Sequence, residues 1–110
     1  MRMSWEVLFM PEAMEDFRDL DGSQKKLVRK AIDKVSTNPL TVEEGGYGKP
    51  LGNKGGKNLT GLLKIKLLNA GIRIVYKLVR KDDQMYIVVI GARKDDEVYE
   101  TAAKRVENEK

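Results

Sequence analysis

The chain contains neither cysteine nor histidine in its 110 residues. Without cysteine there is no disulfide framework, no thiol nucleophile and no thiolate metal site. Without either residue, a Cys/His zinc centre and a His-based catalytic triad are both excluded. Long apolar runs are missing too: the longest, near residues 86–92, is far too short to span a bilayer, and no N-terminal signal pattern is present. A cytoplasmic location is the resulting expectation. No repeats or low-complexity tracts occur. What remains is a chain 41% apolar and 35% charged, the composition of a soluble globular protein, and long enough for one domain (1–110) with a modest core.

Acid is absent from one block. Residues 1–44 carry seven Lys/Arg against nine Asp/Glu, and residues 82–110 carry five against eight. Residues 45–81 carry nine Lys/Arg and no acid, so a net charge of +4 conceals a central block of +9. The basic residues continue out of a loop into predicted strands, which is an electrostatic footprint for phosphate.

That block centres on two alternating segments, residues 61–68 and 72–79, joined around Asn69-Ala70-Gly71, where glycine supports a tight turn. Alternation puts Lys64 and Lys66 on one face of the first strand and Arg73, Val75 and Lys77 on one face of the second. A two-residue Ala70-Gly71 loop would place Lys66 opposite Val75 and Lys64 opposite Lys77, with both cationic rows on one side. A three-residue loop would turn Arg73 away. The first keeps the apolar rows together and is preferred. Like charges side by side on a strand pair are unfavourable by roughly 0.2–1 kcal/mol per pair, so an anion is expected on that face.

Around this hairpin, residues 4–9 alternate as a strand, with Trp5, Val7 and Phe9 on one face. Pro11 suits the start of a helix to about Leu20. Ser23 is placed to cap a second helix with Leu27, Ala31, Ile32 and Val35 inward, ended by Asn38-Pro39. Residues 40–58 form a Gly- and Lys-rich loop without the Gly-Lys-Ser/Thr of a P-loop. Residues 85–92 read as an inner strand buried on both faces, and a final helix, capped by Asp95 or Asp96, reaches about Val106. Tyr76 and Trp5 are assigned to the core. The expected fold is α+β: a small, mostly antiparallel sheet of about four strands, with an N-terminal helical hairpin packed on one face and a short C-terminal helix.

The pattern Leu63-Lys64-Ile65-Lys66-Leu67, then Gly71-Ile72-Arg73-Ile74-Val75-Tyr76, Gly91-Ala92-Arg93 and Glu97-Val98-Tyr99 resembles the RelE toxins of bacterial toxin–antitoxin systems. The order of elements agrees over nearly the whole chain. The resemblance implies a ribosome-dependent mRNA endoribonuclease (an mRNA interferase) that cuts in the ribosomal A site and inhibits translation. It also implies a RelB-like antitoxin with acidic or amphipathic helices that covers the cationic face or displaces the 97–106 segment. No cofactor or metal is expected. Carried over by position, the active-site residues are Lys64, Lys66, Arg73, Arg93 and Tyr99. The family often has an arginine shortly before the first central strand; Lys54 and Lys57 are available to replace it, and with Lys77 they are expected to bind RNA.

Cleavage of RNA by its own 2′-OH needs a base for that hydroxyl, charge stabilisation at phosphorus and an acid for the leaving 5′ oxygen. Arg73 and Lys64 suit the phosphate, Arg93 the phosphate or leaving-group side, and Tyr99 or Lys66 the base. A ParE-like toxin that binds gyrase without cutting RNA and a plain RNA-binding module are the competing readings. Only the nuclease needs Tyr99 and Arg93 near Lys66.

Overall fold

A computed structural model describes residues 4–54, 57–92 and 95–108, with the side chains of residues 53, 54, 57, 58, 95 and 96 outside that description. The elements are β1 (Glu6–Phe9), α1 (Pro11–Arg18), α2 (Gly22–Ser36), β2 (Lys49–Lys54), β3 (Lys57–Leu67), β4 (Ile72–Val79), β5 (Gln84–Gly91) and α3 (Asp95–Asn108), with 3₁₀ turns at Val42–Glu44 and Arg80–Asp82. Among the described residues the strands form one sheet in the order β1-β5-β4-β3-β2. All pairs are antiparallel except β1 with β5. The α+β expectation holds, with five strands where about four were expected. The addition is β2, which takes up the middle of the supposed 40–58 loop. No described helix is long and apolar enough to cross a membrane.

The inner strands β4 and β5 carry the centre of the core, and Ile74, Val75, Met85, Ile87 and Val88 have no exposed surface. One layer over them is the α1–α2 hairpin, which contributes Ala13, Val28, Ile32 and Val35; α3 contributes Val98, Tyr99 and Ala102. Two sequence expectations shift by one or two positions. Val28, not Leu27, points inward, and Leu27 is 47% exposed. The α2 cap is Asp21, whose carboxylate accepts from the Gln24 N–H at 2.8 Å while Gln24 returns a bond to the Asp21 N–H at 3.0 Å. Ser23 donates to that same carboxylate. An ionised acceptor meets the unpaired amides of a first turn better than a hydroxyl does. Pro11 opens α1 as expected.

Tyr76 lies fully buried in β4 and donates its hydroxyl to the Pro39 carbonyl at 2.8 Å, fastening the sheet to the segment after α2. Burial pushes its pKa up.

The turn before β2 is tied to the far end of β4. Arg80 donates both guanidinium nitrogens to Glu44, each at 2.9 Å. That pairing, with bonds from the Thr41 hydroxyl and amide, lowers the Glu44 pKa from 4.5 to about 2. A carboxylate depressed on folding contributes stability above its unfolded pKa and loses it as pH falls through the folded one. Both side chains are exposed to solvent, so the effect is small and salt-sensitive. Melting curves of wild type and Glu44→Gln are therefore expected to differ at pH 6 and to converge between pH 4.5 and pH 2. A gap that persists at pH 2 would assign the difference to something other than this carboxylate.

Candidate active site

Register decides which cations meet. The β3–β4 loop is four residues long, 68–71, closed by Leu67 opposite Ile72, rather than the two-residue loop expected from sequence. Lys66 therefore faces Arg73, Lys64 faces Val75, and Leu62 faces Lys77. The slip is two residues, an even number, so side-chain parity survives and Lys64, Lys66, Arg73 and Lys77 still share one face. Gly71 supplies the turn with a φ of +68°, and its carbonyl accepts a 3.0 Å bond from the Arg73 guanidinium.

The fifth strand adds a cation that the sequence reading left in a loop. Lys49 in β2 pairs directly with Lys64. Two like-charged rungs, Lys49–Lys64 and Lys66–Arg73, thus stand side by side across three strands. Each rung is unfavourable by roughly 0.2–1 kcal/mol. An anion bound across such a grid would offset that repulsion. Pro50 next to Lys49 hid the strand from sequence reasoning, although proline is tolerated on an edge strand such as β2.

Helix α3 lies over the same face. Gly91 is opposite Arg73, and a Cβ there would come within 3.0 Å of Val98, so glycine permits the close approach of the helix. One residue on, Tyr99 is 4% exposed, and the Lys64 ammonium sits 5.6 Å from the centre of its ring. The structure thus gathers Lys64, Lys66, Arg73 and Tyr99 from three elements. Lys77 lies four residues from Arg73 on that face, with its ammonium 5.3 Å from the Tyr86 ring. Arg93 lies outside the described residues. Lys54 and Lys57 pair across β2 and β3, but their side chains are likewise outside the description.

The helix is fastened at its other end. Arg105 donates to Asp16 of α1 at 2.6 and 3.3 Å and to the Val88 carbonyl at 2.9 Å, and Asp16 accepts from the Ile90 N–H at 3.1 Å. Neither residue stood out in the sequence, where each is an ordinary charged position on a helix. A cavity of about 410 Å³ lined by Val7, Phe9, Met14, Phe17 and Ile32 lies between β1 and the helical hairpin, away from these cations.

The fold is shared with known proteins. No protein-family model matches the chain. The mRNA interferase toxin RelE of Escherichia coli K12 is 25% identical over 104 residues, 94% of this chain and 99% of that protein. An E. coli RelE mutant solved in the free state superposes with a TM-score of 0.68 at 23% identity, covering 94% of this chain and 99% of the other. The toxin in the intact E. coli RelBE toxin–antitoxin complex gives 0.63 at 19%, covering 83% and 99%. The fold is the RelE fold. The resemblance to RelE toxins read from the sequence is borne out over 94% of the chain. In this RelE-like chain the hairpin cations and Tyr99 converge on the sheet face that α3 partly covers, and Lys49 enlarges the set.

Proposed function

We propose that the chain is the toxin of a toxin–antitoxin pair and an endoribonuclease that cuts mRNA in the ribosomal A site in the cytoplasm, so inhibiting translation. The observation that carries this reading is the Lys66–Arg73 rung set beside the Lys64–Tyr99 contact on a fold shared with an mRNA interferase.

The chemistry follows from those positions. Tyr99, as phenolate, takes the proton of an RNA 2′-OH, and Lys64 is at its ring. The 2′ oxygen attacks phosphorus, the P–O2′ bond forms and the P–O5′ bond breaks. Arg73 and Lys64 neutralise the non-bridging oxygens as charge builds on them. Arg93, assigned by the family pattern alone, stabilises the charge on the leaving 5′ oxygen, which takes its proton from water. The products are a 2′,3′-cyclic phosphate and a 5′-hydroxyl. The ribosome contributes by holding the RNA backbone in line.

Lys49 binds the phosphate flanking the scissile one. Each cation that neutralises a phosphate on a single strand adds about 0.7 to the slope of log affinity against log salt. Lys49→Gln is expected to reduce that slope by about 0.7 in RNA-binding titrations while sparing the cleavage rate at saturation. An unchanged slope would remove Lys49 from the interface. Lys54, Lys57 and Lys77 are proposed as further, weaker phosphate contacts. The partner is a RelB-like antitoxin whose acidic or amphipathic helices cover the cationic face or displace α3.

The deciding experiment is cleavage of mRNA on programmed ribosomes, with free mRNA as control and the product ends mapped. Ribosome-dependent cuts leaving a 2′,3′-cyclic phosphate and a 5′-hydroxyl support the reading; a 3′-hydroxyl with a 5′-phosphate rules out this mechanism. Intact mRNA with a folded, toxic chain would transfer the protein to the gyrase-binding class.

A further inference from the structure

Strand β1 runs out before β5 does. Phe9 pairs with Ile87, and the Met10 N–H still reaches the Ile87 carbonyl at 3.0 Å. Beyond that point β5 would present an open edge, with backbone groups that must find other partners. Two side chains supply them: Arg105 donates to the Val88 carbonyl, and Asp16 accepts from the Ile90 N–H. The same two residues pair with each other, at 2.6 Å for the shorter bond, and both side chains are about four-fifths buried. The cluster joins α1, β5 and α3 at one point.

The geometry points to Asp16 and Arg105 as positioning residues for Tyr99: a clamp that fixes the rotation and axial register of α3 on the sheet and so holds the ring of Tyr99 against Lys64. The apolar contacts of α3 are non-directional and would allow a helix to slide or roll. A guanidinium bonded to a carboxylate and a backbone carbonyl at once is directional, and lysine cannot reproduce its fork. Six residues separate Tyr99 from Arg105, roughly 9 Å along the axis. Anchored at its far end, the helix can let the Tyr99 turn yield to an incoming sugar without leaving the sheet.

This inference rests on the nuclease reading, and its test separates the two. Arg105→Gln, with Arg105→Lys as the milder variant should the first fold poorly, is compared with wild type in two measurements. In single-turnover cleavage on programmed ribosomes, Arg105→Gln is expected to lower the rate at saturation at least tenfold, with ribosome affinity changed less than twofold. In a Tyr99→Phe background the same substitution should add almost nothing, because a residue that acts through Tyr99 has no further effect once its hydroxyl is gone. Additive losses, or an unchanged rate, would overturn the proposal. The second measurement, amide exchange, needs no activity. The α3 amides should exchange faster in Arg105→Gln while those of β3 and β4 keep their wild-type protection. If wild type fails to cut mRNA, the nuclease reading falls, and exchange still judges the clamp: faster exchange confined to α3 supports it and unchanged exchange overturns it.

Discussion

Tyr99→Phe is expected to lower ribosome-dependent mRNA cleavage by roughly 10²–10⁴-fold, the usual cost of losing a general base. The substitution deletes one oxygen and keeps the ring, so the packing of a residue only 4% exposed is retained. The Lys64 ammonium, 5.6 Å from the ring centre, still meets an aromatic face, although a somewhat less electron-rich one. RNA affinity and melting temperature should therefore stay close to wild type while the rate collapses. Single-turnover cleavage beside a binding titration makes the separation. If the rate stays within a few-fold of wild type, the base is not Tyr99, and Lys66→Ala becomes the variant that should abolish cleavage. A parallel loss of binding and rate would make Tyr99 part of the RNA platform instead.

Gly48→Ala is expected to be strongly destabilising. Gly48 is the residue before β2, and a Cβ there would overlap the Tyr76 hydroxyl and a methyl of Leu63 and press on the Pro39 carbonyl. The hydroxyl has nowhere to go, since it is fully buried and bonded to that carbonyl. Overpacking costs about 1–3 kcal/mol, and a buried hydroxyl driven off its acceptor costs a further 1–3 or so. The melting temperature should fall by roughly 10–20 °C. Removing the hydroxyl relieves part of the overlap, so Gly48→Ala with Tyr76→Phe should melt higher than Gly48→Ala alone. If the double variant melts lower by the sum of the two single losses, the conflict lies elsewhere. Because Gly48 sets the start of β2, the single variant should also displace Lys49 and lower RNA affinity.

The parts of the fold legible in the sequence were those governed by local periodicity and end signals. Alternation marked β1, β3 and β4, a nearly continuous apolar run marked β5, Pro11 marked the start of α1, and Asn38-Pro39 marked the end of α2. The failures have local causes too. Pro50 and Gly52 lower strand propensity across β2, and that strand exists because β3 offers it a ladder, a non-local contact that propensity does not encode. Ser23 and Asp21 are both ordinary caps, and only the geometry of the reciprocal bond with Gln24 chose between them.

For the site, sequence alone determined that Lys64 and Lys66 share a face, that Arg73 and Lys77 share a face, and that no histidine or cysteine takes part; side-chain parity and composition are enough for that. Tertiary structure decided which of these residues meet. The four-residue turn put Arg73 opposite Lys66, the edge strand brought Lys49 to Lys64, and the Asp16–Arg105 clamp with the Gly91 contact set Tyr99 over Lys64. The physical reason is the same in each case. Periodicity fixes the direction of a side chain relative to its own backbone, whereas register, edge pairing and helix docking depend on contacts between residues tens of positions apart, settled only when the core packs.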